Sequence, residues 1–172
     1  SLSLGYTKWM TDDHVETFLP IVGNNLVRLE LMGCYRQVAD DSQPLGDRSL
    51  SAIAQHCSQL QSFAITDSYI SSNGLEQVLR NNPGIVRLNL SWSWNRQYDA
   101  RAIGIISRYL PRLGKLRGHH SGNWLTDDSL IDLINAQAND SGGPGISLKL
   151  IGVSYTNLLT VRGLGYAIDK GV

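Results

Sequence analysis

Apolar residues return along this chain in one recurring spacing. Leu26, Leu29 and Leu31 occupy the first, fourth and sixth positions of a short segment. The same spacing returns, complete or in part, at Leu60, Phe63 and Ile65; Ile85, Leu88 and Leu90; Leu113 and Leu116; Leu2 and Leu4; and Leu148 and Leu150. Because alternate residues of a strand point to the same face, the pattern predicts six short strands, each with one buried face.

A second spacing follows each of these segments, namely two apolar residues separated by four others. The pairs are Met10 and Val15, Leu45 and Leu50, Ile70 and Leu75, Tyr98 and Ile103, Leu125 and Leu130, and Leu159 and Leu164. After each pair, apolar residues recur at steps of three and four, as in Leu75, Val78 and Leu79, which is typical of an amphipathic helix. Each unit is therefore predicted to be a strand, a loop and a helix.

The units follow one another at intervals of about 25 to 35 residues, which indicates a leucine-rich-repeat solenoid. One strand and one helix cannot close a core alone, so stacked units must bury their leucines against each other. We predict an α/β fold of about six units in a single domain over residues 1–172. A parallel sheet lines its concave face and helices cover its convex face, and one or both end caps are expected to be lacking.

Helix boundaries in the sequence agree with this division. The segments at 11–13 and 126–128 both read Thr-Asp-Asp, which places a hydroxyl cap and two carboxylates where a helix N-terminus favours them. We interpret these aspartates as structural. Pro20, Pro83 and Pro111 are expected to end helices before the next strand.

Two segments resemble a known family. The segment at 26–34 ends in Cys34, and the segment at 45–60 contains His56 and Cys57 before its last leucine. Both resemble the cysteine-containing leucine-rich repeats of F-box proteins, in the ribonuclease-inhibitor-like class. The resemblance implies a non-catalytic module that recognises substrates for a ubiquitin ligase through protein–protein contacts.

The same class of repeat includes proteins with other roles, which leaves an alternative. Its members include mitochondrial assembly factors and structural subunits of large complexes, which share the scaffold and not a chemistry. The alternative implied by the resemblance is therefore a structural or assembly subunit of a large multiprotein complex, with mitochondrial complexes included.

Composition restricts the kind of protein further. The 172 residues are 42% hydrophobic and 17% charged, an ordinary balance for one globular domain. The 15 basic and 15 acidic residues cancel, which removes the whole-chain electrostatic argument for nucleic acid or an anionic membrane. No apolar run approaches the roughly 20 residues of a spanning helix, so no membrane insertion is expected.

The cysteine content and the N-terminal residues indicate the cellular compartment in which the protein is expected. Two cysteines are too few for a disulfide scaffold and suit a reducing compartment. We expect the cytoplasm or nucleus, or the mitochondrion if a transit peptide has been removed. Because the chain opens in an alternating apolar segment without a starting Met, we expect a fragment or a processed form.

No constellation for catalysis, metal or cofactor emerges. His119 and His120 would point to opposite faces of an extended segment, so one metal ion could not easily take both. The glycine-rich runs at 141–145 and 163–165 lack the context of a phosphate-binding loop. We therefore expect a protein that is not an enzyme and that uses neither a metal nor a cofactor.

The residues between the strand leucines are the candidates for binding. They are expected to face the concave side in columns that cross the units, with an aromatic rim where the strands end. The predicted binding residues are Arg28, Glu30, Arg87, Asn89, Lys115, Arg117 and Lys149 on the strands, and Trp92, Trp94, Arg96 and His119 at the rim.

The ligand class follows from charge along the chain. Residues 1–80 carry a net charge of −4, so the remainder carries +4 and the concave face becomes basic toward the later units. We predict a protein partner with an acidic segment, and nucleic acid is the less favoured ligand. Trp124 is also predicted at the rim, whereas a competing interpretation has Trp92 or Trp94 filling the gap between units.

Overall fold

The structure is a computed structural model that describes residues 1–5, 9–32, 45–92, 101–119, 124–139, 145–154 and 158–172. Its strands are β1 (Leu2–Gly5), β2 (Arg28–Met32), β3 (Ser62–Ile65), β4 (Arg87–Asn89), β5 (Lys115–His119) and β6 (Leu150–Ser154). Its helices are α1 (Asp12–Val22), α2 (Asp47–His56), α3 (Ser72–Asn81), α4 (Arg101–Tyr109), α5 (Asp127–Ala138) and α6 (Val161–Asp169), and a 3-10 turn at Gly23–Asn25 follows α1. Among the described residues, strand and helix therefore alternate as the two spacings predict.

The strands of the described chain form one parallel sheet in the order β1-β2-β3-β4-β5-β6. Each connection carries a helix, and successive helices pack on each other from α1 to α6. No helix in the described ranges is long and apolar enough to cross a membrane. The molecule is an α/β protein in which sequence neighbours are also spatial neighbours.

The inward side chains of the strands are the predicted apolar residues. Leu29, Phe63, Leu88 and Leu116 form one row across β2 to β5, and all are buried in a cluster shared with the helices. Burying one such side chain stabilises the fold by about 1.5–3 kcal/mol. The intervening strand residues project from the opposite face, which the helices leave open.

Two buried amide side chains hold the turns between a helix and the following strand. Asn82 donates to the carbonyl oxygens of Cys57 and Val78, at 2.8 and 3.0 Å, and accepts the N–H of Leu60 at 3.0 Å. Gln137 likewise donates to one backbone carbonyl and accepts from two backbone N–H groups. Both side chains satisfy backbone groups that would otherwise be buried without partners.

The first aspartate of some helices reaches across to the next unit. Asp127 accepts hydrogen bonds from the N–H and the hydroxyl of Thr160, at 2.8 and 2.5 Å, at the start of α6. Asp47 accepts the same pair of bonds from Ser71, at 2.7 and 2.5 Å, at the start of α3. Asp12 accepts the backbone N–H that precedes α2, at 2.9 Å. We call these contacts the inter-unit carboxylate bonds.

Glycines make room for two of these carboxylates. A Cβ atom at Gly163 would collide with Asp127, and one at Gly74 would collide with Asp47. The hydrogen bonds from Thr160 lower the pKa of the Asp127 carboxyl below its ordinary value. A carboxylate with a lowered pKa stabilises the fold above its unfolded-state pKa, and that contribution is lost as the pH falls through its folded-state pKa.

The last unit differs from its predicted register. The buried residue Leu148 precedes β6, and Ile151 and Val153 are the residues that pair in register with Leu116 and Gly118. Leu150 instead pairs with Lys115 and is 40% exposed. Leu148 is therefore buried as predicted, whereas the prediction that Leu150 is an inward residue of this strand is wrong, because the β-branched residues Ile151 and Val153 take the place of two leucines in the motif.

Two smaller predictions also fail. Pro20 lies inside α1, which continues to Val22, since a proline close to the end of a helix removes only one of its last hydrogen bonds. Leu164, one of the leucines expected to be buried between stacked units, is 41% exposed on α6 because no described unit packs beyond that helix.

The inter-unit carboxylate bonds give the first prediction. Asp127→Asn should lower the free energy of unfolding at pH 7 and speed amide hydrogen exchange in α6, because the charged acceptor of the Thr160 bonds is lost. The difference from the unsubstituted protein should shrink as the pH falls through the Asp127 pKa, since the Asp127 carboxyl is then uncharged, as the amide of the variant is at every pH. Asp132→Asn, which removes an exposed carboxylate from the same helix, is the control. Equal effects of the two substitutions would contradict the assigned role.

The register of β6 gives a second prediction. Leu116→Ala should cost about 2–5 kcal/mol in urea unfolding because it leaves a cavity in the core. Leu150→Ala should cost less than half as much, since Leu150 lies on the open face. A loss at Leu150 as large as that at Leu116 would mean that the register is wrong.

Candidate protein-binding face

The open face of the sheet carries its side chains in rows that cross the strands. Arg28, Ser62, Arg87 and Lys115 form one row in register, and Glu30, Ala64, Asn89 and Arg117 form the next. These two rows line a groove of about 480 Å³. The structure thus brings together six of the predicted binding residues, which come from three different units, on β2, β4 and β5.

Charge in the groove is uneven. Glu30 forms an ion pair with Arg28 at 2.7 Å and accepts a hydrogen bond from the Ser3 hydroxyl at 2.8 Å. Its carboxylate therefore already has partners within the chain. Within the described residues, the side chains of Arg87, Lys115 and Arg117 have no hydrogen bond or ion pair. The β4 and β5 side of the groove is therefore positively charged without compensation.

Two of these cations are direct neighbours. Arg87 and Lys115 are paired across β4 and β5, whose backbones lie about 4.8 Å apart. Like charges placed opposite each other in a sheet are destabilising. Stability alone gives no reason for this arrangement, whereas an anionic ligand would.

The floor of the groove is made by small residues. Ser62 and Ala64 on β3 lie between the longer side chains of β2 and β4. At the other edge, a Cβ atom on Gly152 would stand 3.2 Å from both Arg117 Cγ and His119 Nε2. The absence of a side chain at Gly152 therefore gives these two basic residues room to lie side by side.

Asn89 has a structural role that the sequence did not indicate. Its Oδ1 accepts the N–H and the hydroxyl of Ser91 at 3.1 and 2.7 Å, and the Ser91 hydroxyl accepts the N–H of His119 at 3.2 Å. The amide thus fixes the turn after β4. It borders the groove with its hydrogen-bonding oxygen already used.

The rim agrees only in part with its prediction. Trp92 follows β4 with a φ of 60°, and its residue is 38% exposed. Its backbone N–H donates to the backbone carbonyl of His119 at 2.7 Å. Trp124 is fully buried, so its predicted place on the rim is wrong. Cys34, Trp94, Arg96 and His120 lie outside the described residues.

Lys149 does not continue the basic column. It precedes β6, and the residues in register with Lys115 and Arg117 are Leu150 and Gly152. Its predicted place in the column is wrong because the strand motif begins at Leu148 and extends through Ile151 and Val153. Reading the motif in full would have placed Gly152 beside Arg117.

The described residues hold no group of three or more His, Cys, Asp or Glu side chains that could bind a metal ion. Cys57 is a free thiol, completely buried next to the end of α2. Burial raises the pKa of this thiol to about 11. A protonated, inaccessible thiol packs as a small apolar group and is a poor nucleophile.

The fold has relatives among solved structures. It is similar to Rad7 in the crystal structure of the yeast Rad7 and Elc1 complex, with a TM-score of 0.61 and 14% identity, over 96% of this chain and 36% of that chain. It is also similar to the leiomodin-1 actin-binding site 2, with a TM-score of 0.54 and 12% identity, over 92% of this chain and 86% of that chain. No family model and no curated protein matches the sequence.

These likenesses define a class of architecture, an α/β chain of repeated strand and helix units. At such low identities they show the fold alone. The chain spans little more than a third of the Rad7 chain, since the alignment covers 36% of it.

The thiol gives a third prediction. In the native protein at pH 8, Cys57 should resist N-ethylmaleimide, because it is buried and almost wholly protonated. Peptide mapping by mass spectrometry would measure its labelling, and the same reaction in urea is the control. Labelling of native Cys57 as fast as in urea would contradict its place in the core.

Proposed function

We propose that this chain is a non-catalytic protein-binding module, a leucine-rich-repeat solenoid of the ribonuclease-inhibitor-like class. Its role would resemble that of the substrate-recognition repeats of F-box ubiquitin-ligase receptors. The observation that carries the proposal is the open face of the sheet, where uncompensated cations from neighbouring units line one groove. A face that the helices leave uncovered, with charge that no described residue satisfies, favours an external partner.

The structural relatives support a binding role over an enzymatic one. Rad7 was crystallised in a complex with Elc1, and the leiomodin-1 segment is an actin-binding site. Both are therefore proteins with a protein partner. We extend only that general role to this chain. Its proposed location in the cytoplasm or nucleus rests on its own cysteine content.

A second candidate function rests on the exposed apolar residues of α6. Leu164 and Ile168 on α6 are 41% and 72% exposed. In α5, the corresponding residues Leu130 and Ile134 are completely buried. This apolar surface favours the alternative of a structural or assembly subunit held permanently in a large complex, with mitochondrial complexes included.

The fourth prediction tests the binding face. Affinity purification of the full-length protein from its own cells, with mass spectrometry, would identify a partner, which is then purified and titrated against variants. Ala64→Trp should weaken its binding at least about tenfold by filling the groove floor, because water-excluded contacts there are lost. Ala136→Trp, on the exposed surface of α5, is the matched control and should leave binding unchanged.

The two candidate functions give different outcomes. If Ala64→Trp weakens binding while Ala136→Trp and Ile168→Asp do not, the result would support a binding module with its site on the open face of the sheet. Unchanged binding with Ala64→Trp, together with release of a stoichiometric assembly by Ile168→Asp, would overturn it in favour of the structural subunit. A protein that stays monomeric and soluble at high concentration would contradict the structural subunit.

A further inference from the structure

The spacing of the groove cations restricts the shape of the ligand. Arg87 and Lys115 stand on adjacent strands, about 4.8 Å apart in the backbone, and Arg117 follows Lys115 two residues along β5, about 6.6 Å away. An extended peptide also places side chains of one face about 6.6 Å apart. Arg87 and Arg117 are diagonal neighbours about 7–8 Å apart, so carboxylates at alternate positions of an extended ligand that crosses the strands obliquely can meet both, with Lys115 beside them.

The floor of the groove favours a close approach of such a ligand. Ser62 and Ala64 rise little above the sheet, whereas Arg28 and Arg87 stand on either side of them. A ligand backbone crossing β3 can sit low there and continue over β4 and β5. Glu30 borders the β2 side and its carboxylate would repel an anion, so the cationic end of the groove lies at β4 and β5.

We propose that the groove binds an extended acidic segment of a protein, which crosses obliquely from β3 to β5 with alternate carboxylates on Arg87 and Arg117 and with Lys115 beside them. This inference rests on the proposed protein-binding function and specifies its ligand. The complementarity is local, since the whole chain has a net charge of zero. It predicts recognition that weakens with salt, because partly exposed charges are screened.

The lining of the groove argues against single-stranded nucleic acid. Proteins that bind such strands present aromatic side chains on which bases stack. Phe63 is the aromatic residue among the described residues that line the groove, and it is buried on the helix side. The described lining of the groove therefore offers cations without an aromatic side chain on which bases could stack.

The test uses a fluorescein-labelled peptide of twelve residues, alternating Asp and Ser, and measures binding by fluorescence anisotropy. The full chain should bind this peptide and not the matching peptide of alternating Asn and Ser. Arg87→Glu combined with Arg117→Glu should weaken binding at least about tenfold. Arg80→Glu combined with Arg112→Glu changes the net charge equally at exposed sites away from the groove and should alter binding less than about twofold.

Each other outcome has a defined meaning. Equal loss with both double variants would show non-specific attraction, and equal binding of the Asn peptide would remove the role of carboxylates; either overturns the proposal. Tighter, groove-dependent binding of an oligothymidine of the same charge would overturn it in favour of nucleic acid. If the native partner is lost with Ala64→Trp but kept with the Arg87 and Arg117 double variant, the binding module stands and the acidic ligand is wrong.

Discussion

The stacking of one strand and helix unit on the next is the interaction on which this molecule depends. A unit presents one apolar strand face and one apolar helix face, too little to exclude water from a core alone. When the units stack in register, their apolar strand residues form one continuous row, made of Leu29, Phe63, Leu88 and Leu116. Buried amides such as Asn82 then satisfy the backbone at the turns, so the same spacing is imposed again in the next unit.

The groove is a product of this stacking and belongs to no single unit. Each strand contributes two or three outward side chains, which by themselves form neither a pocket nor a charge cluster. The parallel register brings Arg87 beside Lys115 and places the small residues of β3 next to them. Since inward and outward positions alternate along each strand, the outward residues can serve recognition while the inward residues maintain the core.

Alternation was also the feature that made the sequence informative. It was sufficient to predict the strands and the outward places of Arg28, Arg87 and Arg117, because a period of two leaves little choice of face. It failed at Lys149, where Ile151 and Val153 take the positions of leucines. The burial of Trp124 and the cross-unit role of Asp127 could not be predicted, because each depends on residues brought close only by the fold. Thr160 is 33 positions from Asp127 in the chain.

The inter-unit carboxylate bonds have a direction. In each of the three, the carboxylate belongs to the unit that comes first in the chain, and the donors belong to the unit that follows. During synthesis the earlier unit leaves the ribosome first, and domains generally form from the N-terminal side. The acceptor is then already in position when the next helix emerges with its unsatisfied N–H groups. The fold can therefore grow unit by unit as it is translated, with each completed unit acting as the template for its successor.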